Sequence, residues 1–214
     1  EALEAYTTAI KLSPNNASLW VARARLLLES DKDDDADLAL NKALELNPRH
    51  VEAWILRGNL YSKLGKIPEA LKAYNKATAI DSDNPRAWVH VGVVLEMVVR
   101  KEEALKAYDR AISINNRYVE ALWRSSAILV DIDNVDEAES RLKTVLSMMP
   151  KHPQGLYYMG RIEYAKGNLS RAFSYMEKAC EILENGEYLT WKARILLEMG
   201  NVEKARPEIN KALQ

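Results

Sequence analysis

Residues 51 to 84 read VEAWILRGNLYSKLGKIPEALKAYNKATAIDSDN, and the residues that follow rewrite them with the same types in the same places. Trp54, Gly58, Glu69, Ala70, Leu71, Lys72, Ala73, Tyr74, Ala77 and Ile80 recur as Trp88, Gly92, Glu103, Ala104, Leu105, Lys106, Ala107, Tyr108, Ala111 and Ile114, each pair 34 residues apart. A fixed period of this length means stacked supersecondary units, each burying its apolar face on its neighbour. Trp54, Gly58 and Tyr61 form one helical stripe, and Ala70, Tyr74 and Ala77 a second. Small residues at Gly58, Ala70 and Ala77 let the two helices approach while Trp54 and Tyr74 fill the space between them. The unit is therefore a helical hairpin.

Outward from this stretch, the same frame starts units at Ala17, Val51, Pro85, Val119 and Pro153 and, after loss of one residue near 184–186, at Gly186. The expected organisation is one solenoid over residues 1–214. It comprises an orphan second helix at 1–16 and repeats at 17–50, 51–84, 85–118, 119–152, 153–185 and 186–214, thirteen helices in all. Gly65 marks a helix end and Pro68 a helix start; Pro48 and Pro150 close second helices, and Pro85 and Pro153 open first ones. Pro207 falls inside the last helix, where it should kink the helix or delay its start. The chain starts within a unit and ends without a polar capping helix, so a window of a longer array is expected, with uncapped ends that allow self-association.

Thirty basic and 31 acidic residues leave a formal charge of -1, which gives no footprint for nucleic acid or an anionic membrane. Cys180 is the only cysteine, so no intrachain disulfide forms and a reducing, cytoplasmic setting is expected. No apolar run reaches the roughly 18 residues of a membrane-spanning helix. Asp31, Asp33, Asp35 and Asp37 imitate the start of a calcium loop, but the turn glycine is missing and Lys42 stands where a bidentate glutamate belongs. His50 and His152 close units, and His90 stands alone on a first helix, so no histidine pair has metal-ligand spacing. Asn16 and Asn168 fall where helix caps are expected. No cofactor, metal or catalytic group is expected.

The pattern resembles the tetratricopeptide repeat family, whose frame is W-x₂-L-G-x₂-Y followed by A-x₃-F and P. Leu122, Leu156 and Leu189 depart from it at the tryptophan place and Ser126 at the glycine place. The resemblance implies an all-α, right-handed superhelical solenoid of antiparallel helix hairpins. It also implies a concave groove, lined by the first helices, that binds segments of other proteins. The groove positions this assigns include Val21, Arg25, Ile55, Asn59, Arg86, Val89, Val93, Met97, Trp123, Tyr157, Arg161, Tyr164 and Arg194. The residues that would clamp a terminal carboxylate in the family's co-chaperones are replaced here, by Val21, Arg25, Leu56, Arg86 and His90.

The expected function is therefore a protein-interaction scaffold that holds a partner segment in an apolar and aromatic groove, without chemistry of its own. The alternative is the substrate-docking or regulatory arm of a larger enzyme. Trp123, Tyr157 and Tyr164 are the expected anchors, with Arg161 and Arg194 beside them, because aromatic and arginine side chains dominate binding hot spots. Lys76 and Arg110, placed on outer second helices, are expected to contribute little.

Overall fold

The computed structural model describes residues 2–213, which form thirteen helices and no strand among the described residues. In chain order these are α1 (Ala2–Leu12), α2 (Ala17–Glu29), α3 (Asp33–Leu46), α4 (Val51–Lys63), α5 (Ile67–Ile80), α6 (Pro85–Met97), α7 (Lys101–Ile114), α8 (Val119–Asp131), α9 (Val135–Met148), α10 (Pro153–Ala165), α11 (Leu169–Ile182), α12 (Gly186–Glu198) and α13 (Val202–Ala212). They fall into two compact units, Glu1–Asn115 with α1 to α7 and Asn116–Gln214 with α8 to α13.

The first helix of every hairpin except α8, which follows Tyr118, starts with the same device. Side chains of Asn16, His50, Asn84, His152 and Asn185 each accept a hydrogen bond from a backbone N–H in the first turn that follows. A cap of this kind satisfies one donor that the helix itself leaves unpaired. Asn168 also stands at a helix start, but its amide nitrogen donates to Glu163 at 2.9 Å and its side chain makes no cap. Inside each hairpin the turn has three residues, and the middle one has a positive φ: Asp31, Gly65, Val99, Asp133, Gly167 and Gly200. Glycine is at home there, whereas Val99 at φ 61° is a β-branched residue in the left-handed region.

Connections between hairpins have four residues except the last, Leu183 to Asn185, which has three. The residue missing from the repeat frame near 184–186 is thus a shortened connection. Pro207 does not delay α13, which starts at Val202 and continues past the ring to Ala212.

The hairpins close through small residues. A methyl group on Gly58 would meet the Tyr74 ring at 2.4 Å, and one on Gly92 would meet Tyr108 at 2.4 Å. Ala53, Ala70 and Ala77 are completely buried beside them. In the first unit, Val21, Leu27, Leu40 and Leu56 join one core shared by α2, α3 and α4. In the second, Leu156, Tyr157, Met176, Tyr188 and Ile195 join another across α10, α11 and α12. Each hairpin therefore buries its apolar stripe on the next within its unit, which is the packing of a solenoid built from helix hairpins.

Candidate partner-binding surfaces

The first unit lines up α2, α4 and α6, and their polar positions meet across the helices. Glu52 on α4 accepts from Arg25 of α2 at 3.0 Å and from Arg86 of α6 at 2.9 Å. One carboxylate thus holds two guanidinium groups, and most of their donors remain available. These arginines, with Asn59 and Lys63, rim a pocket of about 350 Å³ whose floor is Leu28, Leu56 and Leu60. Asn59 is fixed by the Tyr74 hydroxyl, which donates to its side-chain oxygen at 2.7 Å. Burial holds the Tyr74 phenol well above its usual range, so it remains that donor at any physiological pH.

At the far end of the same face, the Lys63 ammonium donates to Asp31 at 2.7 Å and Asp33 at 2.8 Å. Their hydrogen bond holds the Asp31 carboxyl below its ordinary value and lifts Lys63 above its own. The cation these two aspartates face is an ammonium group of the same unit. Among the described residues, no group of three or more His, Cys, Asp or Glu is placed to hold a metal ion.

In the second unit the first-helix face is aromatic. Arg161 on α10 donates to Asp131 of α8 at 3.2 Å and places its guanidinium 5.2 Å from the ring centre of Trp191 on α12. Arg194 lies 5.1 Å from the same ring and 5.0 Å from that of Tyr164, which meets Trp191 edge-on at 5.4 Å. The hydroxyl of Tyr164 donates to Glu198. Two arginines and two aromatic rings are thereby held in one cluster, an arrangement favoured by the negative face of each ring. Trp123 on α8 is half-buried, with Arg124 stacked over it at 4.7 Å and His152 at 6.0 Å.

The groove positions assigned from the sequence divide into two sets. Arg25, Arg86, Met97 and Arg194 are exposed; Asn59, Val93, Trp123, Arg161 and Tyr164 are half-buried. Val21, Ile55, Val89 and Tyr157 are buried and form no part of a free surface. Trp123 and Thr190 at the fifth place of their helices stay half-buried and exposed, but these four, at the same place of theirs, are packed away from solvent. Tyr157 shows how: its ring stacks on Tyr188 of α12 at 4.6 Å, and its hydroxyl donates to Glu187 at 2.6 Å. Trp191 was not among the assigned positions. It stands at the sixth place of its helix, and the signal for it was the rings His90 and Tyr158 at that place in earlier units.

Hairpins that pack in sequence and, within each unit, present their first helices side by side define a helical repeat protein of the scaffold class. The chain belongs to the tetratricopeptide repeat family: models described as "Tetratricopeptide repeat" match residues 5–37, 39–72, 128–187 and 186–214, and one described as "TPR repeat" matches 58–98. Among solved structures, YrrB, described as a TPR protein with an unusual peptide-binding site, superposes with a TM-score of 0.71 at 26% identity. That match covers 93% of this chain and all of YrrB. PilF of Pseudomonas aeruginosa gives 0.80 at 18% identity, covering 90% of this chain and 88% of the other. PilW, a type IV pilus biogenesis factor, gives 0.78 at 19%, covering 92% and 98%. The last two speak for the fold alone. Among the described residues no helix is long and apolar enough to cross a membrane.

Proposed function

We propose that the protein is an interaction scaffold whose first-helix faces each hold a segment of a partner protein. The observation that carries this reading is the Arg25–Glu52–Arg86 bridge over an apolar floor. Two arginines positioned by a shared carboxylate cost little further ordering when a partner's carbonyl or carboxylate meets them. Leu28, Leu56 and Leu60 beneath them supply apolar area for a side chain. The Trp191 cluster gives the second unit a surface of the residue types that dominate binding energy. The peptide-binding site in the description of YrrB agrees with this use of the fold. The scaffold contributes geometry and no chemistry, and the cytoplasm suits its single thiol, which burial pushes up to about 11.

Photo-crosslinking tests the assignment. A photoreactive residue in place of Asn59 or Arg194 is expected to capture the partner, and one at Glu102, on the exposed surface of α7, is not. Capture from Glu102 alone contradicts the reading.

A further inference from the structure

A second pocket in the first unit lies on the opposite, outer side of hairpin α4–α5, and its chemistry differs from that of the first-helix face. Trp54, Tyr61 and Ala73 form its apolar walls, and Arg57, Lys72, Lys76 and Glu69 surround them, enclosing about 250 Å³. Three cations against one carboxylate leave a local charge of +2 in a chain whose formal charge is -1. Among the described residues, Lys72 and Lys76 have no ion-pair partner, unlike Lys63 or Arg86 on the other face. Arg57 is held in place without a carboxylate: its Nε donates to the Tyr61 hydroxyl at 3.2 Å, and its guanidinium stacks 5.8 Å from the Trp54 ring. The indole N–H of Trp54 is committed to the Pro48 carbonyl at 2.9 Å, which leaves the ring itself as the pocket wall.

The next hairpin repeats the arrangement 34 residues on. A pocket of about 530 Å³ lies over α6 between the second helices α5 and α7, with Trp88, Ala107, Lys106 and Arg110 where Trp54, Ala73, Lys72 and Lys76 stood. Here Arg110 is paired with Asp83 at 3.1 Å and Arg100 with Glu103 at 2.6 Å, so Lys106 is the cation left without an ion-pair partner among the described residues. The expectation that Lys76 is inert, drawn from its outer position alone, overlooks this pocket.

We propose that the outer face of hairpins α4–α5 and α6–α7 is a second docking surface, for an extended protein segment in which acidic residues flank bulky apolar ones. Alternate side chains of an extended segment point the same way, so an apolar side chain between Trp54 and Tyr61 places residues two positions away over the rim. Carboxylates there meet Lys72, Lys76 and Arg57. Single-stranded nucleic acid fits less well, because Glu69 at the rim repels phosphate.

The test is fluorescence anisotropy with the whole chain and a fluorescein-labelled peptide of repeated Glu-Ser-Phe-Ser. The peptide is expected to bind, more weakly as salt rises. Lys72→Glu with Lys76→Glu should weaken binding by at least about tenfold, and Lys72→Gln with Lys76→Gln by an intermediate factor. Arg25→Ala with Arg86→Ala removes what the first-helix groove itself takes up, and the binding left in that variant should still fall by at least about tenfold when Lys72→Glu and Lys76→Glu are added, which separates this surface from the proposed groove. A Gln-Ser-Phe-Ser peptide that binds equally well overturns the proposal. So does failure of the acidic peptide to bind, full binding by both lysine variants, or binding of oligouridylate that those variants abolish to the same degree.

Discussion

Gly92 and Tyr108 share a space that admits only one of a methyl group and a ring: a methyl carbon on Gly92 would stand 2.4 Å from Cε1 of the completely buried tyrosine. The glycine is therefore a packing requirement of hairpin α6–α7. Its backbone is ordinary helix, where alanine is otherwise the preferred residue. Gly92→Ala is expected to destabilise the protein by about 1–3 kcal/mol, the usual cost of overpacking. Urea unfolding monitored by circular dichroism measures it, and an unchanged midpoint would mean that the ring moves aside freely.

The opposite sign is expected at Val99. Its φ of 61° places a β-branched side chain where Gly65, Gly167 and Gly200 stand in other hairpins, and its side chain is largely exposed. Val99→Gly removes the left-handed penalty without losing buried area, so it should stabilise the chain by about 1 kcal/mol. The same unfolding measurement reads this as a rise in midpoint at constant slope.

His152 gives the fold a pH dependence. Its Nδ1 accepts the cap hydrogen bond from Gly155 at 3.0 Å, and burial lowers its pKa below the ordinary 6.5. The unfolded chain takes up the proton first as pH falls, so the stability from neutral His152 is complete above pH 6.5 and is lost progressively below it. His152→Asn substitutes the cap residue found at Asn84 and Asn185, and it should flatten this part of the stability profile between neutral and mildly acid pH. A variant that keeps the full dependence would place its origin elsewhere.

The sequence pattern assigns Tyr157 to the groove, and its burial changes what its loss should do. Tyr157→Ala deletes a ring packed on Tyr188 and is expected to cost about 3–5 kcal/mol of stability. Arg194→Ala, on an exposed side chain of the same unit, should leave stability within about 0.5 kcal/mol. Thermal unfolding of the two variants side by side distinguishes packing residue from surface residue.

The period of 34 made the hairpins legible because the same small and aromatic residues must return wherever two helices close; Gly58 with Tyr74 and Gly92 with Tyr108 are read from spacing alone. The shortened connection before Gly186 was legible for the same reason. Which groove positions are free was not. Val21, Ile55, Val89 and Tyr157, each at the fifth place of a first helix, read as apolar in the sequence, which does not show that the fold buries them while Trp123 at the same place stays half-buried. Trp191 escaped because its partners Arg161 and Tyr164 lie 30 and 27 residues away, on another helix of the unit. The outer pocket escaped because Lys72 and Lys76 look like any solvated helix face until Trp54 and Tyr61 are seen beneath them.

The central claim is that partner proteins are held by the first-helix faces. Affinity capture with the intact protein, followed by mass spectrometry of what is retained, tests it when wild type is compared with Arg86→Glu and with Arg194→Ala, each checked for unchanged unfolding. A partner retained by wild type should fall at least about tenfold with one of these variants. Retention equal to wild type by both variants would contradict the account.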